Sequence, residues 1–353
     1  MTRADATVVI GRFSPYTMSQ HAQMLKALAQ PGKVVVVIGS AYHTRTPRDP
    51  FTWQEREAMI RLCLPEGADE RVAFVPVRDY YDDARWAGAV KKAVEAAAPQ
   101  ATRPHLLPTS AQNVECYREW LPQWPQLEPE GPAVDDRALL RVLLAGDEDA
   151  ATGIAPRRHP IETALAVAGP QLPPGMPAYL RSWAKLPHYA ELVAEQRANE
   201  EERAKWTGAP YEPVFTTVDC VVHAAGHVLL VRRKHRPGRG LWALPGGFLD
   251  PRERLATSAM RELHEETSLG IPDATLHRRL KDVIVFDHPD RSMRGRTITH
   301  VHFFELQDEK LPQVQGSDDA AEAQWIAVSG LAGLEERLFE DHFHILDHFF
   351  KLT

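Results

Sequence analysis

Cysteine is scarce in this 353-residue chain: Cys63, Cys116 and Cys220 are odd in number, far apart and without a CxxC pair. That pattern offers no basis for a disulfide framework or a cysteine-bound structural zinc, and it suits a reducing, cytoplasmic setting. Long apolar runs are missing too. None approaches the roughly 20 residues that a membrane-spanning helix needs. The opening MTRADATVVIGRF carries no apolar signal core. Basic excess is also absent, since 41 Lys and Arg face 48 Asp and Glu for a formal charge of -7. A general nucleic-acid binder needs a basic face, so that class is set aside. Small anionic substrates remain open, because a few local arginines and a metal ion handle those. Repeats and low-complexity tracts are lacking as well.

What is present is ordinary globular material, 44% hydrophobic and 25% charged. The length suits two domains. In the first half, strand and helix signals alternate. Residues 7–10 form a short apolar run, 21–29 a helix, and 33–38 (KVVVVI) a β-branched run fit for a strand buried on both faces. Helix, strand and helix follow at 55–62, 71–77 and 86–97. Alternation of this kind predicts a doubly wound parallel sheet. Residues 99–132 are Pro-rich, 135–144 read as helical, and 170–175 mark a break. Residues 188–206 are a charged amphipathic helix, expected to pack between the halves. The expected division is an amino-terminal domain over 1–186, a linker helix over 187–211 and a second domain over 212–353. In that second domain 214–223, 228–232 and 300–306 read as strands, 255–266 as a helix and 334–350 as a terminal helix.

The informative stretch runs from Gly247 through Glu253 to Arg261-Glu262-Leu263-His264-Glu265-Glu266. Glu262 and Glu266 are four apart and share a helix face, with Glu265 beside them. Like charges so placed repel by a few tenths of a kcal/mol per pair. A hard divalent cation turns that repulsion into binding, and Mg²⁺ takes carboxylates together with substrate phosphates. Gly246 and Gly247 allow close approach of backbone or positive φ. Glu253 and Arg261 can pair across the loop–helix junction. Leu255, Ala259 and Leu263 form an apolar stripe that buries the helix on a sheet. A merely solvated acidic face is the bland alternative, and the fixed Gly, Glu and Arg spacings argue against it.

This pattern resembles the Nudix box, with every charged position matched and Ser268 where the late glycine stands. The resemblance extends through 231–248, 291–304, 316–326 and 340–349 to the bifunctional nicotinamide-mononucleotide adenylyltransferase/Nudix hydrolase family, over nearly the whole chain. It implies a nucleotidyltransferase-like parallel-sheet domain followed by a Nudix α/β/α sandwich. It further implies hydrolysis of ADP-ribose, or a related nucleoside diphosphate derivative, to AMP and ribose 5-phosphate. Mg²⁺, with Mn²⁺ as the alternative, is the implied cofactor. Glu262, Glu265, Glu266 and Gly247 would bind the metal, and Glu265, Glu266 and Arg261 would be catalytic. Arg294, Arg296 and His300 are candidate substrate contacts, since an arginine offers a planar fork of donors. Surface loop arginines are the plainer reading. Asp318, Asp319 and Glu322 lie where Nudix enzymes often keep a catalytic acid, and sequence does not choose among them.

In the amino-terminal half, Gly11, Arg12 and Phe13 with Ser14-Pro15 resemble the opening of the nucleotidyltransferase fold, which continues with a His-x-x-His element on the ATP phosphates. Thr17 stands at the first histidine position and His21 one place late. Arg48 falls in a stretch like the family's substrate loop. Val77-Arg78-Asp79 with Tyr81, Asp83 and Trp86 resembles its nicotinamide pocket; for Trp86, core packing is an equal reading. The later ATP elements depart. Residues 107–111 (LPTSA) replace a Gly-His-x-Lys-Asp-like stretch, and Val134-Asp135-Asp136-Arg137 replaces a Ser-Thr-x-x-Arg helix start. Two carboxylates there would repel a triphosphate, and a one-residue shift turns Arg141 by about 100°. The expectation is weak or absent adenylyl transfer, with the domain kept as a scaffold or a nicotinamide-nucleotide binder. A bifunctional enzyme that takes nicotinamide mononucleotide and ATP is the rival reading. A non-catalytic metabolite sensor ranks last, because the box is complete and no basic recognition helix follows it. A homodimer through 188–206 and the strand from Val214 is an expectation by analogy.

Overall fold

The computed structural model describes residues 5–109, 113–131, 134–145, 160–306 and 310–353. Ser110 and Ala111, part of the departing fourth-strand element, lie outside the described residues. The chain forms two compact units, Met1–Gln196 and Arg197–Thr353.

The first unit opens with β1 (Ala6–Gly11), α1 (Met18–Ala29), β2 (Lys33–Ile38), α2 (Trp53–Cys63), β3 (Val72–Pro76), α3 (Asp83–Ala97) and β4 (Pro104–Pro108). The four strands are parallel in the order β3-β2-β1-β4. Val34 to Ile38 are all buried, which is why this run reads as continuous rather than alternating. Val9, Val36 and Ile38 join one core with Met24, Met59 and Ile60 of α1 and α2. Val8, Val35 and Val37 join the other with Val90 and Val94 of α3. Helices therefore cover both faces, and the strand order reverses between β1 and β4. In such sheets the crevice at that reversal, beyond the strands' carboxyl ends, is where ligands bind. Then come α4 (Val114–Trp120), α5 (Asp136–Leu144), α6 (Pro160–Ala168), α7 (Met176–Trp183) and α8 (Pro187–Ala204). Leu139, Leu143, Leu180 and Tyr189 extend the first core. The division between the units falls inside α8.

The second unit contains β5 (Val214–Ala224), β6 (His227–Arg233), β7 (Trp242–Ala243), β8 (Gly246–Phe248), α9 (Leu255–Thr267), α10 (Asp273–Arg279), β9 (Leu280–Phe286), β10 (Arg296–Leu306), β11 (Ala320–Ala327) and α11 (His342–Phe350). Its sheet is mixed, in the order β11-β6-β5-β10-β9, with β7 on β6 and β8 on β5. Ala259 and Leu263 of α9 pack with Val218, Cys220 and Val222 on one face, and Leu255 sits partly buried beside them. Ile345 and Leu346 of α11 pack with Val221, Val228 and Val301 on the other. This is an α/β/α sandwich.

The terminal helix is shorter than 334–350. Val328–Arg337 is a 3-10 stretch, and α11 starts only at His342. The reason lies between them: Leu338 bridges to Trp242, Phe339 N–H donates to Trp242 O (2.8 Å), and Glu340 takes φ +47°. Pairing with β7 takes these residues out of helical geometry. Among the described residues no helix is long and apolar enough to cross a membrane.

Candidate active site

Strand β8 runs into a short loop and then α9, and this strand–loop–helix unit carries the acidic motif. Arg261 is its hub. Its guanidinium donates to both oxygens of Glu253 (3.0–3.1 Å), to Glu262 Oε1 (3.0 Å), to Glu265 Oε2 (2.9 Å) and to Ser258 Oγ (3.2 Å). One cation thus joins the loop acid to two helix acids and sets the loop against the helix. Hydrogen bonding to Arg261 holds the Glu253 carboxyl below its ordinary range.

Glu266 sits on the inner side. Gly246 N–H donates to its Oε2 (3.0 Å), and burial, with Glu262 and Asp219 nearby, pushes its pKa up to about 8. Burial also raises Glu262. Two carboxyls that resist ionisation in one place call for a cation. Gly247 makes room for Glu262, and Gly246 for the backbone of β5. A Cβ on Gly247 would stand 2.5 Å from Glu262 Oε1, and one on Gly246 would stand 2.2 Å from Val218 O. Close approach is their role. Ser268, at the late glycine position, takes φ +50° and caps α9 in the left-handed region. Its hydroxyl lies 3.2 Å from Ser317 Oγ. The glycine of the usual motif reflects that backbone requirement, which serine here meets with strain.

Would these residues hold a divalent metal? The donor set is all oxygen, it faces a glycine cradle that a single Cβ would fill, and burial raises the pKa of two of its acids. That chemistry fits a hard cation. Among the described residues no three His, Cys, Asp or Glu side chains already converge as a metal cluster. Arg261 holds Glu262 and Glu265 in that arrangement.

The expected substrate residues separate. Arg294 lies 3.6 Å from Glu340 and stacks on Phe248 (5.1 Å) and Phe339 (5.7 Å). It thus flanks the strand that carries Gly247. Arg296 instead donates to Asp287 O, His288 O and Thr297 O (2.5–3.4 Å), closing the β9–β10 connection. His300 is on β10; its carbonyl accepts from His302 Nδ1 (3.0 Å). Asp318 takes φ +51° at the carboxyl end of α9, where Ser317 N–H donates to Glu266 O (3.1 Å). Asp319 lies 3.8 Å from His235 and Glu322 3.8 Å from Arg232.

Arg233 was not singled out from the sequence. Its guanidinium lies 4.2 Å over Phe339, its Nε donates to Pro237 O (2.9 Å), and it counters the Glu266 charge. Burial and the nearby Arg294 lower its pKa. Two guanidinium groups on one buried ring suit an anion between them. The Arg-Arg at the end of β6 was the available signal.

Residues 214–349 match the NUDIX domain model. A crystal structure of a bifunctional NMN adenylyltransferase/ADP ribose pyrophosphatase from Francisella tularensis, complexed with AMP and a manganese ion, superposes with a TM-score of 0.84 at 30% identity, covering 99% of both chains. The chain belongs to this bifunctional family. An ADP-ribose pyrophosphatase of Methanocaldococcus jannaschii is 33% identical over 35% of this chain and 70% of its own length. A nicotinamide/nicotinic acid mononucleotide adenylyltransferase of Acinetobacter baylyi is 30% identical over 37% of this chain and 69% of its own. Family membership makes the second unit a Nudix hydrolase that works with a divalent metal on a nucleotide derivative.

Gly11, Arg12 and Phe13, singled out in the first unit, stand at the carboxyl end of β1, beside the β1/β4 reversal. Arg56, 2% exposed, donates to Arg12 O, Gly39 O and Ser40 O (2.7–2.9 Å) and ties the ends of β1 and β2 together. A Cβ on Gly11 would meet Phe13 Cζ and Thr109 Cγ2 at 3.0 Å. Phe13 takes φ +55° and is fully buried. Thr17 caps α1 in a reciprocal capping box with Gln20. Gln20 Nε2 also donates to Asp136 Oδ2 (3.1 Å). His21 Nδ1 sits 3.2 Å from Tyr16 Oη. Asp135 caps α5 by accepting from Ala138 N–H (2.9 Å), and burial pushes Asp136 up to about 7. At each of these two helix amino termini one backbone N–H is therefore taken by the N-cap side chain. Arg48 lies in the loop that Arg45 pins to Glu55 (2.6 and 2.9 Å). Trp86 stacks on Tyr117 (5.9 Å, 10°) and meets Trp120 edge-on, so one ring face is taken by core packing.

Proposed function

We propose that the second unit hydrolyses ADP-ribose to AMP and ribose 5-phosphate with Mg²⁺, Mn²⁺ being a workable substitute. The observation that carries this is the acidic lattice on α9, in which Arg261 orders Glu253, Glu262 and Glu265 while Gly246 N–H holds Glu266. Glu262, Glu265 and Glu266, with the Gly247 backbone, would hold the metal, which supplies charge neutralisation at the pyrophosphate and an acidified water. Arg261 keeps the acids spaced and aimed. Arg294, with Arg233 beside it over Phe339, would take the diphosphate charge, and His300 is kept as a candidate contact. Arg296 secures the neighbouring connection. The names of the Methanocaldococcus and Francisella relatives support ADP-ribose as the substrate. Purified protein with Mg²⁺ should release AMP and ribose 5-phosphate from ADP-ribose, and Glu266→Gln should not. Equal product from both would remove the reading.

In the first unit the Thr17–Gln20 box and the two acids at α5 favour weak or absent adenylyl transfer. The second reading keeps both activities, with nicotinamide mononucleotide and ATP as substrates, and the match over 99% of the Francisella chain favours it. NAD formation from these two substrates, abolished by His21→Ala, would establish it. A homodimer in the cytoplasm is the proposed working form; a monomer mass by light scattering would count against the assembly.

A further inference from the structure

Behind Glu266 lies a group of buried polar side chains that the hydrolysis does not itself use. Asp219, Arg291, Thr299, Asp341 and His342 are each no more than 6% exposed. Arg291 donates to both oxygens of Asp341 (2.8 and 2.9 Å) and lies 3.8 Å from Asp219. Thr299 Oγ1 donates to Asp219 Oδ2 (2.6 Å), and His342 Nε2 stands 3.6 Å from Asp219 Oδ1. Burying this much polarity costs several kcal/mol per ion before pairing repays it. An apolar layer would pack the same face without that cost, so the position of the network is informative.

The network meets the active site through one segment of backbone. His342 Nδ1 accepts the Leu244 N–H (2.8 Å), which leaves the ring proton on Nε2, facing Asp219. Pro245 O accepts from Cys220 N–H (2.8 Å). Gly246 lies directly over Asp219: a Cβ there would be 2.9 Å from Asp219 Oδ1. The next N–H along, that of Gly246, is the one that holds Glu266 Oε2 at 3.0 Å. The segment Leu244–Gly246 is therefore clamped by His342 and β5 on one side and presents its amide to Glu266 on the other.

We propose that His342, oriented by Asp219, is a positioning residue that sets the Glu266 carboxylate for metal binding by fixing the Leu244–Gly246 backbone. This rests on the reading of Glu266 as a metal ligand. Groups that orient a ligand from behind change metal affinity by about 10–100-fold when removed. Here the ligand is oriented through a peptide rather than by a side chain, and a residue 76 positions away in sequence acts on it.

The test is Mn²⁺ binding to the full chain without substrate, read from the paramagnetic resonance signal of free Mn²⁺, with thermal melts alongside. His342→Leu removes the acceptor and should weaken Mn²⁺ about 10-fold or more, with KM for ADP-ribose within about threefold. In His342→Asn the amide oxygen takes the place of Nδ1, and binding should return to within about threefold of wild type. Wild-type Mn²⁺ affinity in His342→Leu, or no recovery in His342→Asn, overturns the proposal. Should His342→Leu not fold, His342→Asn and Thr299→Val decide: near-wild-type binding in the first with loosened binding in the second supports it, and any other pair refutes it. Glu266→Gln separates the two levels. If it too binds Mn²⁺ like wild type, the metal-ligand reading has failed. If it loses Mn²⁺ while His342→Leu keeps it, only the positioning role has.

Discussion

Replacing Gly247 by alanine should silence the hydrolase while leaving it folded. The added Cβ would stand 2.5 Å from Glu262 Oε1, 2.7 Å from its Cδ and 2.9 Å from Oε2. Non-bonded atoms settle nearer 3.5 Å, so the carboxylate must withdraw by about 1 Å. It is not free to do so smoothly, because Arg261 Nη1 holds Oε1 at 3.0 Å. A misplacement of about 1 Å in a catalytic constellation costs about 100-fold in rate, which corresponds to about 2.7 kcal/mol of transition-state stabilisation. Steady-state assays on ADP-ribose across a Mg²⁺ titration should show kcat down by about that factor and the metal requirement raised. The melting transition should stay close to wild type, since the Gly247 backbone is not in the left-handed region. Gly226→Ala is the matched control. Gly226 has φ +75° and nothing within 4 Å, so alanine there should cost about 1 kcal/mol of stability and leave kcat alone. If Gly247→Ala works within about threefold of wild type at the same Mg²⁺, the glycine cradle is not what places Glu262.

Other perturbations follow from the same geometry. Arg291→Met should destabilise the second unit by about 3–5 kcal/mol in urea denaturation, because it leaves Asp341 buried without its cation. The loss should be smaller at pH 5 than at pH 8, where the orphaned carboxyl must ionise. Asp136 titrates near pH 7 when folded and near 3.9 when unfolded, so the native state binds the extra proton between these values. Its contribution to stability therefore falls as pH rises through that window, by at most about 1.4 kcal/mol per pH unit. Asp136→Asn should flatten that slope, measured by denaturant midpoints at pH 5 and pH 8. Ala225 and Gly226 take φ +44° and +75° in the β5–β6 turn, and Ala225→Asn should raise stability by about 0.5–1 kcal/mol, read from the melt.

The acidic helix was readable from sequence because its partners are close along the chain: Arg261 reaches Glu253 eight residues back and Glu265 four ahead. The buried strand at KVVVVI was readable for a similar reason, since composition alone signals burial on both faces. What escaped joins distant positions. Arg291 and Asp341 are 50 residues apart, Asp219 and Thr299 80, Gln20 and Asp136 116. No periodicity encodes such pairs. Thr17-x-x-Gln20 is different: it is a legible capping signature, and the same letters also align with a histidine motif. The terminal helix is shorter than its sequence pattern because residues 338–340 have helical neighbours in sequence but a strand, β7, as their neighbour in space.

The link between Gln20 and Asp136 also bears on how this chain could change over generations. Each residue answers the other across the crevice, so neither can be altered alone without loss. A change at position 20 removes the amide that donates to Asp136 and the side chain that closes the Thr17 capping box, and a change at 136 removes the acceptor of the Gln20 amide. A hydrogen bond spanning 116 positions thus ties two sites of change into one: a substitution at either end sets what the other end must become.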